Sequence, residues 1–382
     1  AIADDAAGID APPACSDQGL VDGYDGACVE CMESSHCESL VCDRRSFRCV
    51  PEAEAAYVAV DGTDNGSGAT GCTLEAPCRF KARGLDALSE DRRWLVFLEG
   101  THLSDRFLID GDLRAYEVNL YGAPGAIIQS IAALDIPAIT ARDEAKLRIS
   151  SLRIIGSDAG GTNAQGVYCI DSDVELLDST IRDNGKTGMR GIRCRMKVHA
   201  SRITGNGSGG LQAEESDLEV VSSIVDKNGG NGTTIGGIRL RNCAIGPEPM
   251  GCEEIERSYR ILSSTIANNR AQDAGGVRCD GLKVPIFARG NIVQDNVGTN
   301  NIQNTSTATD MCVFTDSIAP PTQPVDPTGL ASFIDDDLEL GSNSPGLDVA
   351  ALDDLVLPIA WDFSGGPRVV GAHPDMGAQE RD

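Results

Sequence analysis

The feature that most restricts this chain is a pair of short phrases recurring in phase. The first is a glycine followed by an alternating strand: GVYCI from Gly166, GIRCR from Gly191, GLQAE from Gly210, GIRLR from Gly237 and GVRCD from Gly276. The second is S-x-[IV]-x-x-N, ending at Asn184, Asn206, Asn228 and Asn269, with a variant, NIVQDN, ending at Asn296. Asn184 to Asn206 and Asn206 to Asn228 are each 22 residues, about one winding of a β-solenoid. The step to Asn269 is 41 residues and holds the insertion IGPEPMGCEEIE, which can loop out of one winding without disturbing its neighbours. Windings ~4.8 Å apart stack like residues into files. One file is expected to hold Val167, Ile192, Leu211, Ile238 and Val277, and another Ile181, Ile203, Val225, Ile266 and Val293. The five asparagines are expected to form an amide ladder at one corner while tolerating the left-handed backbone of a tight turn. The fold class that follows is all-β, a parallel β-helix, right-handed because parallel crossovers take that sense.

Composition fits such a stack. Aliphatic files need few rings, and aromatics are only 4% of the 382 residues. The 43 glycines argue against long helices. A net charge of −26 repels a phosphate backbone, which excludes nucleic acid as the expected partner. No apolar run approaches the ~20 residues of a transmembrane segment, and Ala1 opens no signal peptide, so the chain reads as soluble and already processed. Fourteen cysteines, an even number, point to disulfides and an extracellular or cell-surface location.

The chain divides into four stretches. Residues 1–14, small, acidic and Pro-containing, read as a flexible tether through which the protein is anchored. Residues 15–50 carry Cys15, Cys28, Cys31, Cys37, Cys42 and Cys49 with almost nothing apolar to bury, so a disulfide-stapled head is expected. Zinc is the weaker reading, since a second C-x-x-C is missing and His36 stands alone. The β-helix is expected over 57–315 and a closing or capping segment over 316–382.

The opening YVAVDGTDNGSG, CTLEAPCRF and ALSEDRRWLVFLEGTH resembles the first segment of bacterial surface right-handed parallel β-helix proteins of the pectate-lyase-like superfamily. The ending, with FIDDDLEL, SPGLDVA, DFSGGPR and DMGAQE, resembles the closing segment of their choice-of-anchor subset, so the likeness covers roughly residues 57–382. It implies architecture and a surface location more than an activity. On this scaffold Cys169 and Cys194 fall in one file of adjacent windings, either bridged or as two buried thiols. Cys72 with Cys78 and Cys243 with Cys252 are close enough in sequence to clip loops, which leaves Cys279 with Cys312.

The outward positions of the first phrase supply the binding candidates. One file reads Tyr168, Arg193, Gln212, Arg239, Arg278, and its neighbour Ile170, Arg195, Glu214, Arg241, Asp280. The first is the glycan-binding candidate: guanidinium forks suit carboxylate or sulfate, and Tyr168 offers a stacking face. The plainer account pairs these arginines with the adjacent acids. No catalytic set emerges, because His36, His102, His199 and His373 are scattered and no carboxylates cluster on successive windings. No cofactor is implied; calcium at the half-loop DGTDNGSG is a further metal reading, and the closing Glu of such a loop is missing. The expected function is a non-catalytic extracellular β-helix presenting a side face to a polysaccharide or surface protein. The alternatives are a polysaccharide lyase or glycoside hydrolase, by analogy with the superfamily, and a fibre subunit assembling through open coil ends.

Overall fold

The computed structural model describes residues 20–22, 28–63, 71–105, 107–131, 134–156, 164–230, 232–242, 256–304 and 311–319, and, beyond these, 331, 333, 338, 340, 344, 362, 364 and 375–379. The tether, Cys15, the Cys243–Cys252 pair and most of DGTDNGSG lie outside them. The chain forms two compact units, residues 1–51 and 52–382.

In the first unit, two short antiparallel hairpins pair Val21–Asp22 with Cys28–Val29 and Cys42–Asp43 with Arg48–Cys49. Disulfides join Cys31 to Cys42 and Cys37 to Cys49. The cysteines themselves form its apolar centre, as expected of a segment too small to bury a core.

The second unit is a stack of coils. Each coil crosses three parallel sheets in turn. The first sheet has ten strands, from Ala55–Val58 to Phe314–Thr315; the second has eight, from Gly100–Ser104 to Ile292–Gln294; the third has eight, from Phe107–Asp110 to Asn300–Asn304. The interior of the second sheet is the file Ile154, Ile181, Ile203, Val225, Ile266, Val293, every member fully buried. In the third sheet the interior file is Val167, Met189, Leu211, Ile238, Val277. Ile192, expected in that file, instead pairs with Ile170 and Glu214.

Asn184, Asn206, Asn228, Asn269 and Asn296 stand in one file at the corner between the second and third sheets. Each Nδ2 donates to the next Oδ1, at 2.7, 2.8, 3.0 and 2.9 Å. Each of those oxygens also accepts the backbone N–H of the asparagine before it. The left-handed residue is not the asparagine but the one preceding it: Asp183, Gly205, Lys227, Asn268 and Asp295 have φ of 55, 65, 55, 56 and 54°. The asparagine's own N–H is committed along the stack, so the turn is made one residue earlier. The two phrases are in phase for a steric reason. A Cβ added to Gly210 would lie 2.5 Å from Val225 Cγ1 and 2.9 Å from Asn228 Nδ2, and at Gly188 2.7 Å from Asn206 Nδ2. The glycine leaves the space that the ladder amide of the next coil occupies.

The serine of the second phrase builds another ladder at the corner between the first and second sheets. The hydroxyls of Ser179, Ser201, Ser223 and Ser264 accept the N–H of Leu152, Ser179, Ser201 and Ser223, and each donates to a carbonyl two residues back.

The edge strand Ala55–Val58 is covered by backbone bonds to the loop bridged by Cys72 and Cys78, and the buried Arg92 donates to the carbonyls of Ala55, Gly71 and Cys72. Described residues of the closing segment lie along the flank of the stack. Leu338 and Ala378 pack on Ile224 and Ala267, while Ala331 and Leu340 pack on Ile292. The Gln294 amide bonds both N–H and C=O of Ala331, and Ala378 N–H donates to Thr265 Oγ1. These contacts bury the outer face of the second sheet over its last three strands.

Candidate functional site

The third sheet aligns Tyr168, Arg190, Gln212, Arg239, Arg278 and Gln303 on its outer face. Arg190, not Arg193, stands between Tyr168 and Gln212. Arg193 sits three residues further on, at a left-handed corner with φ 55°, and its fork holds both oxygens of Asp171 at 2.6 and 2.7 Å. Arg195, expected in the neighbouring file, belongs to the first sheet and pairs with Asp173 and Asp217, its guanidinium bonded to Asp173. The neighbouring file is Ile170, Ile192, Glu214, Arg241, Asp280.

Similar wording misaligned one coil. GIRCR resembles GVYCI, yet Gly191 is 25 residues from Gly166 and 19 from Gly210, whereas Gly188 is 22 from both. The asparagine period therefore already pointed to Gly188.

The arginines of this file are engaged by acids. Asp280 accepts from Arg239 Nε and Arg278 Nε, each at 2.7 Å, and Arg278 also bonds Asp273 at 2.8 Å. Glu214 accepts from Arg190 at 3.1 Å and from the Gln212 amide. The Arg190 guanidinium lies 5.8 Å from the centre of the Tyr168 ring. Arg239 above Arg278 is thus not a bare cationic step, because Asp280 in the adjoining file binds both. The face that results is flat and polar, with fixed donors and acceptors and one aromatic ring.

Cys169 and Cys194 are bridged, Cα to Cα 6.3 Å, but they are not register partners. Cys169 lies opposite Gly191, where a Cβ would come 2.3 Å from Met196 Sδ and 3.2 Å from Cys194 Cβ. Absence of a side chain at 191 admits the bridge and Met196 to the core. Cys279 and Cys312 are also joined.

On the first sheet, outward residues Arg148, Glu175, Lys197, Glu219 and Arg260 alternate in sign along one file. His199, apparently isolated in the sequence, is buried beside it: Nε2 is 2.9 Å from Glu219 Oε1, so it carries the proton, and Nδ1 is 3.9 Å from Glu175. Arg260 bonds the other Glu219 oxygen at 2.7 Å, and Arg148 bonds Glu117 at 2.9 Å. The 22-residue spacing of Glu175, Lys197 and Glu219 was the signal that could have revealed this file.

Partners of this kind hold carboxylates ionised. The His199 hydrogen bond keeps Glu219 below its ordinary range despite burial, the Arg193 fork does so for Asp171, and the Arg142 fork for Asp110. Asp110, Asp112 and Asp143 bring carboxylate oxygens within 4.8 Å of one another, but Arg142 bonds Asp110 at 2.7 Å and Asp143 at 3.0 Å. A folded-state pKa below the unfolded one stabilises above the unfolded value, and that stability is lost as pH falls. The urea midpoint is therefore expected to hold from pH 7 to about 5 and to decline below about 4. A midpoint flat down to pH 3 would show that these pairs add nothing.

Residues 138–314 match the family model described as right handed beta helix region. The body of this protein is a right-handed parallel β-helix. A solved structure described as the crystal structure of pectate lyase Pel9A superposes with a TM-score of 0.46 at 14% identity, over 86% of this chain and 96% of that one. No curated protein matches the chain. Among the described residues no helix of the β-helix protein is long and apolar enough to cross a membrane.

Proposed function

We propose that this protein is an extracellular, surface-displayed β-helix that binds a glycan along the outer face of its third sheet and is not a catalyst. The observation that carries the reading is the unbroken polar file Tyr168, Arg190, Gln212, Arg239, Arg278, Gln303, one residue per coil over ~24 Å. Such a spacing suits consecutive units of an extended polysaccharide. Since Glu214, Asp273 and Asp280 offset much of the arginine charge, the file favours hydroxyl-rich chains over strongly anionic ones. Disulfides in both units support an oxidising, extracellular setting.

On an array of neutral and acidic polysaccharides, read at a temperature where circular dichroism shows each variant fully folded, Arg190→Ala and Arg239→Ala are each expected to weaken retention about tenfold. Retention that ignores both substitutions would remove this face from consideration. Release of unsaturated or reducing ends during incubation would replace the binding reading with a lyase or a hydrolase.

A further inference from the structure

The outward charges of the first and third sheets largely neutralise one another; those of the second sheet do not. Its outer face carries two files across three coils, Arg153, Thr180, Arg202 in one and Ile155, Arg182, Thr204 in the other. Arg202 is held by the fully buried Asp226 through two bonds, at 3.0 and 2.8 Å. Among the described residues Arg182 has only Asp183, 3.7 Å away and half exposed. Arg153 makes no ion pair or side-chain hydrogen bond among the described residues. A chain of net charge −26 thus keeps two poorly compensated guanidiniums on adjacent strands of one face, diagonal in register, Arg153 opposite Thr180 and Arg182 opposite Ile155.

They lie in a cleft of about 460 Å³ whose floor is this part of the second sheet and whose wall is supplied by Ser364 and Gln379 of the closing segment. The Gln379 amide nitrogen donates to Ser364 Oγ at 2.8 Å, while its oxygen is buried with no donor among the described residues. A ligand completing this site needs an oxyanion for the two forks and hydroxyls to exchange bonds with Thr180 and Thr204. The volume is within the range of small-molecule sites.

We propose that this cleft is a binding site for a sugar unit carrying an oxyanion, a uronate or a sulfated residue, with Arg153 and Arg182 as the anion-gripping pair. The site is separate from the third-sheet file and does not depend on the reading given to that face. It also gives the closing segment a role beyond covering the flank, because the cleft is incomplete without Ser364 and Gln379.

The test is calorimetric titration of the full chain with three probes: an oligogalacturonate, a heparin-derived sulfated oligosaccharide, and a neutral oligosaccharide of equal length. One or both acidic probes are expected to bind at least ~10-fold more tightly than the neutral one, with affinity falling as salt rises. Binding of the oligogalacturonate shows that a carboxylate suffices, whereas binding of the heparin-derived probe alone, which carries both groups, identifies sulfate. Arg153→Ala and Arg182→Ala should each weaken that binding about tenfold or more, and Arg153→Lys should recover only part, since the point charge returns without the fork. Lys283→Ala, an exposed cation outside both the cleft and the third-sheet file, should leave it unchanged. Both cleft arginines are substantially exposed, so melting curves of their variants should overlay that of the parent. Equal affinity for the neutral and acidic probes, or acidic binding indifferent to both alanine substitutions, would overturn the proposal; loss of that binding in Arg190→Ala alone would move the anion site to the third sheet.

Discussion

Asn228→Ala is expected to cost about 3–5 kcal/mol of folding stability, measured by urea unfolding. The Asn228 oxygen accepts from both the backbone N–H and the Nδ2 of Asn206, at 3.0 and 2.8 Å. Its nitrogen donates to Ile203 O and to Asn269 Oδ1, at 2.8 and 3.0 Å. All these groups are buried where water cannot replace the lost partner, and a buried orphan donor adds about 1–3 kcal/mol to the loss of the bonds themselves. Asn184 provides the internal comparison. It donates to Arg182 O and Asn206 Oδ1, but its own oxygen accepts nothing among the described residues. Asn184→Ala is therefore expected to cost less than half as much. Equal costs at the two sites would mean that the amides act one by one and not as a ladder.

Removing the Cys169–Cys194 bridge as a double alanine variant is expected to cost about 3 kcal/mol, the loop-closure entropy for a separation of 25 residues. Both side chains are buried, so truncation adds a small packing loss. The measurement compares thermal unfolding of parent and variant with and without reductant. Without reductant the variant should melt lower. With reductant the gap should close, apart from what the other disulfides contribute to both. A gap below about 1 kcal/mol would show that the ladders and aliphatic files hold these two coils together without the bridge.

Legibility in the sequence followed the size of the repeat. The 22-residue return of asparagine was enough to place Ile181, Ile203, Val225, Ile266 and Val293 in one file, because β-stacking permits only like-on-like register over successive coils. The third sheet was read correctly at Gly166, Gly210, Gly237 and Gly276 and displaced by three residues at Gly191, where a cysteine resembling the one in GVYCI outweighed the period. That displacement removed Arg190 from the candidate face and put Arg193 in its place. His199 was passed over for a different reason. Its partners Glu175 and Glu219 are 24 and 20 residues away, and nothing local to His199 in the chain announces them.

Sequence alone determined that this chain winds, how long each turn is, and which side chains stack in the second-sheet file and the amide ladder, because those are properties of a repeat and a repeat is written along the chain. Which charges cancel was set by packing between coils. Asp280 neutralises two arginines from neighbouring coils and Asp226 neutralises Arg202, whereas Arg153 has no such partner among the described residues. Those outcomes depend on side-chain reach across files and on where the closing segment comes to rest against the second sheet, two distances that no spacing in the sequence encodes.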